Sequence, residues 1–155
     1  MTRIGLTVNE TKTKLREATS ERFDFLGYTF GPYWDRRTGK RYLGAGPSAK
    51  SRQRLKAKVH ALTVPGNVVP WPAVCAQLNS MLEGWQAYFG YGTLSQTYKD
   101  VNWYVANRVR HFLRRRHKVR SRGSRQFSTE RVFNDRKVVK LGRRPQRGDT
   151  LHAYA

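Results

Sequence analysis

The chain has 155 residues, with 31 Lys and Arg against 10 Asp and Glu, a formal charge of +21. That length supports one domain or two very small pieces. Leu, Ile, Val and Phe make up about a fifth of it, close to the level where disorder becomes the default, but four Trp and eight Tyr are large enough to build a core. Such an excess of charge repels itself unless an anion screens it, and polyphosphate is the simplest candidate because each neutralised phosphate releases counterions. The single Cys75 excludes a disulfide scaffold and a Cys-rich zinc site, which fits a reducing compartment. No run of about 18 apolar residues is present and the start, Met1 to Leu6, lacks the apolar core of a signal peptide. The expectation is a cytoplasmic protein associated with nucleic acid, with no membrane partner.

The charge is concentrated. Between Asp35 and Glu83 there is no acid, while Arg36, Arg37, Lys40, Arg41, Lys50, Arg52, Arg54, Lys56 and Lys58 crowd the first half of that stretch. A second acid-free run between Asp100 and Glu130 holds Arg108, Arg110, Arg114, Arg115, Arg116, Lys118, Arg120, Arg122 and Arg125.

In chain order, residues 4–30 read as strand with a short helical or turn insert, since Leu6 and Val8 alternate with polar residues and Asn9 suits a turn. The run Phe23 to Phe30 is aromatic-rich and mostly of period two. Its phase shifts between Phe25 and Leu26 before Gly27, which predicts a bulge or a close backbone approach. Gly31-Pro32 and the run from Asp35 to Gly39 are turn signals, so Tyr33-Trp34 and Arg41-Tyr42-Leu43 are expected to pair as a hairpin. Gly44-Ala45-Gly46-Pro47 breaks the pattern and marks a boundary.

From Ser48, a capping residue, the period becomes helical, with Leu55, Val59 and Leu62 as the apolar stripe. Lys50, Arg54 and Lys58 share another face, where like charges repel unless phosphate lies against them. Pro65-Gly66 closes this helix and Pro72 suits the first turn of the next. There, Val74, Leu78, Met81, Leu82, Trp85, Tyr88 and Phe89 form the strongest helical pattern in the chain, a face expected to be core. Gly90-Tyr91-Gly92 ends it. A third helix is predicted from about Gln96 to Lys118, with Tyr98, Val101, Val105, Val109 and Phe112 buried and the arginines on the remainder. Residues 121–125 read as a linker, 137–141 as a strand and 142–155 as a loose basic tail.

Catalysis by this chain alone is not expected. Metal-assisted polymerase or nuclease chemistry needs converging carboxylates, and the ten acids are scattered. His60, His111, His117 and His152 show no ligand spacing, and nothing supports a Ser/His/Asp or Cys/His arrangement. The basic helices are more telling: one-signed faces on two helices point to nucleic acid through Lys50, Arg52, Arg54, Lys58, Arg108, Arg110, Arg114, Arg115, Arg116 and Lys118. Tyr91 and Trp103 lie off the apolar stripes and are candidates for exposed base stacking.

The run Leu78-Asn79-Ser80-Met81-Leu82-Glu83-Gly84-Trp85-Gln86-Ala87-Tyr88-Phe89-Gly90-Tyr91-Gly92 resembles the maturase-specific segment, domain X, of group II intron reverse transcriptase/maturases. Upstream, Gly5 to Thr13 is similar to the family's Leu-Asn-x-x-Lys-Thr motif, and Phe23 to Phe30 to the Phe-Leu-Gly motif of the primer-grip region. Three motifs in the family's order cover roughly residues 3–118. The resemblance implies Lys12 near the incoming nucleotide in the palm, Phe25, Leu26 and Gly27 in the grip, and Gly84, Trp85, Tyr88 and Phe89 in the domain X signature.

The expected fold is therefore α+β: the hairpin-containing end of a palm over 1–46, a three-helix thumb-like bundle over 47–120 and a basic extension over 121–155. The expected function is that of an RNA-binding maturase module, holding structured intron RNA, and template–primer duplex in the full-length enzyme, to support splicing and retrohoming. The family's Tyr-x-Asp-Asp motif is not in this sequence, so the resemblance implies magnesium for the full-length enzyme and no cofactor in this chain. Two other readings stay open: one part of a split, active RNA-directed DNA polymerase, partnered by a complementary fragment, or a ribosomal-type structural RNA-binding protein.

Overall fold

A computed structural model describes residues 21–35 and 37–142. Lys12, the palm motif around it, the expected strand at Leu6 and Val8, and the tail beyond residue 142 lie outside the described residues. What is described is an α+β arrangement. A three-stranded antiparallel sheet, β1 (Phe23–Phe25), β2 (Tyr28–Trp34) and β3 (Arg41–Pro47), is followed by α1 (Ala49–Leu62), α2 (Trp71–Tyr88), α3 (Ser95–Arg116) and the short α4 (Thr129–Asn134).

The phase shift after Phe25 is a hairpin turn and not a bulge. Phe25 pairs with Tyr28, so Leu26-Gly27 form a two-residue loop. Both have left-handed backbone, φ 49° and 82°, the geometry whose twist matches paired strands. The close backbone approach is also present: a Cβ on Gly27 would stand 3.0 Å from Ser51 Oγ and 3.3 Å from the Phe89 ring.

Tyr33 does pair with Tyr42 and Trp34 with Arg41, but the strands run on through both supposed breaks. Pro32 sits in the central strand at no cost to the ladder. Its carbonyl accepts from Arg22 Nη2 at 3.3 Å, so its polar edge faces the side where β1 has already ended. Gly44 and Gly46 do not break β3 because the Tyr33 ring lies across them; a Cβ on Gly44 would meet Tyr33 Cδ2 at 2.5 Å.

Ser48 caps α1, accepting from Ser51 N at 3.2 Å, and Pro72 opens α2. The predicted buried positions Leu55, Val59, Val74, Leu78, Leu82, Tyr98, Val101, Val105, Val109 and Phe112 all lie in one core, joined by Cys75, Ala106 and Leu113. Each such aliphatic or aromatic side chain contributes about 1.5–3 kcal/mol by leaving water. α3 packs on α1 and α4, and α1 on α2.

Residues beyond α3 belong to this core too, through Phe127, Val132, Val138 and Leu141. The expected strand at 137–141 does not form, for a clear reason: its backbone is bound by two asparagine side chains. Asn79 on α2 donates to Lys137 O (2.8 Å) and accepts from Val139 N (2.8 Å). Asn102 on α3 donates to Leu141 O (2.8 Å) and accepts from Leu141 N (2.9 Å). Each amide stands in for a neighbouring strand. Cys75 Sγ donates to Arg136 O at 3.3 Å, and burial raises its thiol pKa.

Candidate nucleic-acid interface

The sheet docks onto the helices through the signature residues. Tyr28 packs its ring 4.9 Å from that of Phe89, and its hydroxyl donates to Tyr88 O at 2.8 Å. In return Tyr88 donates to Leu26 O at 2.9 Å, while Ser48 N and Ser51 Oγ both donate to Gly27 O. Desolvation raises the Tyr28 pKa, opposed by its backbone hydrogen bonding, so the phenol is a donor at neutral pH. Phe89 is buried, and Trp85 packs partly buried 4.9 Å from it. Tyr88 is a correction to the expected core face: its ring is 57% exposed, because it lies on the rim and uses its hydroxyl to hold the hairpin.

These contacts frame a groove of about 960 Å3 between α1, α2 and the hairpin tip. Gly84, Trp85, Tyr88 and Phe89 line it together with Leu26, Gly27, Arg54 and Lys58, and its lining includes no carboxylate. Gly84 sits mid-helix, where glycine costs roughly 1 kcal/mol relative to alanine. Nothing lies within 4 Å of where its Cβ would be, so no internal contact demands glycine there. Its effect is to leave one wall of the groove bare.

The predicted basic residues are divided among several environments. Lys50, Arg54 and Lys58 are exposed on one face of α1. Arg52 is turned away from them into a second cavity, beside Trp34 and Lys99. On α3, Arg108 binds Thr63 Oγ1 (3.2 Å) and Thr63 O (3.1 Å), clamping the end of α1. Arg110 donates to Phe127 O (2.8 Å), Asn107 Oδ1 (2.8 Å) and Thr129 Oγ1 (3.1 Å). Arg116 holds Val69 O (2.6 Å) and Val68 O (3.4 Å) in the α1–α2 loop, its guanidinium 5.6 Å from the Phe112 ring centre. Arg114 is half-buried beside Gly123, and Arg115 and Lys118 are exposed. The two basic runs do not meet as one uniform surface.

Phe25 and Leu26 protrude at the hairpin tip, and Tyr91 and Trp103 are 77% and 68% exposed. Asn79 and Asn102 carry weight that sequence reasoning missed. Asn102 gave a signal, a polar residue beside Val101 and next to the buried stripe, where an amide must find a partner. Among the described residues no group of three His, Cys, Asp or Glu could hold a metal ion. No described helix is long and apolar enough to cross a membrane.

The site is thus a small sheet clamped onto a basic helical bundle, with a signature-lined groove between them. The chain belongs to the group II intron maturase-specific domain family, whose pattern matches residues 52–129. Among curated proteins none matches.

Proposed function

We propose that this chain binds structured group II intron RNA through the groove between α1 and α2, as a maturase module supporting splicing. One observation carries the reading: Gly84 on α2 leaves bare a wall of the groove that Arg54 and Lys58 of α1 also line, at a helical position where the protein's own packing does not call for glycine. A backbone can approach closely where no Cβ intervenes. The mechanism is electrostatic docking and shape recognition, with Arg54, Lys58 and Lys50 against phosphates and the groove accepting an edge of a helix. In a full-length reverse transcriptase the same face would take the template–primer duplex. The role is one of binding, and the proposed location is the cytoplasm.

The test is Gly84→Ala. It should raise the free energy of unfolding by about 0.5–1 kcal/mol and yet weaken binding to folded intron RNA, measured by filter binding across a salt series. A stabilised variant with unchanged affinity would remove the groove from the interface.

The split-enzyme reading is favoured by one feature, the exposed Phe25, Trp34 and Leu43 on a sheet of three strands among the described residues. A polypeptide supplying the rest of a palm would cover them. Co-purification of the two polypeptides, with polymerase activity only in the mixture, is its test.

A further inference from the structure

A second cavity, of about 640 Å3, opens where the β2–β3 hairpin meets the start of α3. Four of its lining residues are cations, Arg22, Arg37, Arg52 and Lys99, and Asp35 is the one lining carboxylate. Asp35 is already engaged, accepting from Arg37 N (2.7 Å) and Thr38 N (2.9 Å) in the hairpin loop. Thr38 and Arg37 N–H groups lower its pKa, so it stays ionised and the cavity keeps a surplus of three positive charges by these five side chains.

Arg52 is the central observation. Its Nε is buried with no hydrogen-bond partner among the described residues. A buried donor left unsatisfied is costly, and a charged one more so. Arg108, Arg110 and Arg116 by contrast find carbonyls. Arg52 faces the cavity instead. Beside it, Ser95 and Thr97 bring the first turn of α3 to the wall. That 22-residue helix has no side-chain cap at Leu94 and no acid in its first turn, so its positive end adds to the field.

The cavity also has an aromatic wall. Trp34 is 56% exposed and Tyr42 is 41% exposed, and both line it. An aromatic face beside the Arg52 guanidinium, whose Nε has no hydrogen-bond partner among the described residues, offers the two contacts that an unpaired nucleotide needs, stacking for the base and charge for the phosphate. Duplex RNA presents no free base face, so this cavity and the α1–α2 groove suit different parts of a nucleic acid.

We infer that this cavity is a second nucleic-acid site that takes a single unpaired nucleotide, its phosphate against Arg52 and the start of α3 and its base on Trp34. The inference extends the RNA-binding reading by adding a single-strand subsite whose lining shares no residue with the groove. Its ligand is either a nucleotide within an RNA chain or a free nucleotide, which share the same chemistry.

The test uses the full chain and a short unstructured oligoribonucleotide, with binding read by fluorescence anisotropy. Trp34→Ala should weaken single-strand binding about 5- to 150-fold, the range for loss of one stacked base. Arg52→Met, which keeps the aliphatic stem, and Lys99→Ala should each weaken it and flatten its salt dependence. Arg54→Ala with Lys58→Ala should weaken it less than Trp34→Ala does. Circular dichroism melts identify any variant that fails to fold, and the exposed Trp34 and Lys99 positions keep the test decisive if Arg52→Met does. Displacement of the oligonucleotide by a nucleoside monophosphate but not by inorganic phosphate at the same concentration supports a nucleotide site open to free ligand. Displacement by neither, with Trp34→Ala still weakening binding, assigns the site to nucleotides within a chain. Equal displacement by inorganic phosphate, or unchanged single-strand affinity in folded Trp34→Ala and Lys99→Ala, overturns the inference. If single-strand binding depends on Trp34 while intron RNA does not bind, the groove reading fails and this site stands; intron binding without single-strand binding gives the opposite result.

Discussion

α1 and α3 carry basic residues at similar helical spacing, yet the fold uses them differently. On α1, Lys50, Arg54 and Lys58 stand exposed, and their mutual repulsion at i, i+4 costs a few tenths of a kcal/mol per pair. On α3, Arg108, Arg110 and Arg116 reach back to backbone carbonyls of the α1 end, the residue 127 segment and the α1–α2 loop. The planar guanidinium fork can bind several acceptors at once, which a lysine ammonium cannot match in geometry. A charge run is therefore not one thing: the α3 arginines fasten loops, while the α1 cations remain available to a partner.

The comparison is most severely tested at Arg110. Arg110→Ala removes three hydrogen bonds from a charged donor, and urea denaturation should record a loss of about 2–3 kcal/mol. Arg110→Lys should recover little of it. An unchanged unfolding free energy would erase the distinction between the two helices. Because this substitution loosens the fold, any loss of RNA affinity that accompanies it says nothing about direct contact.

Lys118 sharpens the picture from the end of α3. Val119 N binds Arg114 O and Lys118 N binds Arg115 O, the pair of bonds that closes a helix with a left-handed residue after its cap. Lys118 holds that position with φ 51°, where glycine is the usual choice. Lys118→Gly should stabilise the protein by about 1 kcal/mol in thermal melts. A destabilised variant would mean the lysine stem contributes packing that outweighs the backbone strain.

The smallest stability effect belongs to α1. Arg54→Ala with Lys58→Ala should change the unfolding free energy by less than about 0.5 kcal/mol. On the proposed function it should also reduce the slope of log affinity for intron RNA against log salt by about 1.5, one counterion term for each lost phosphate contact. An unchanged slope in the folded double variant would break the assignment of α1 to the RNA.

Much of the helical part was legible from sequence. The stripes through Leu55, Val74 and Val101 and the cap at Ser48 depend on spacing and local hydrogen bonding, which neighbouring residues dictate. The signature from Leu78 to Gly92 was legible as a family pattern, and the match over residues 52–129 agrees with it. What its residues do was not. Tyr88 reads as core by period but holds the hairpin from the rim, and Asn79 reads as a surface amide but binds the segment at Lys137 and Val139.

Sequence alone determined the charge excess, the helices and the faces they bury, because these follow from composition and from a period of 3.6 residues. Tertiary structure decided the rest. Gly44 and Gly46 stay in a strand through their pairing with Gly31 and Thr29, with the Tyr33 ring lying where a Cβ would stand, and the backbone of residues 137–141 is bound by Asn79 and Asn102 and not by a strand. It also decided which arginines are free, since a guanidinium's fate depends on whether a carbonyl distant in sequence comes within about 3 Å. Spacing along one helix carries no information about that distance.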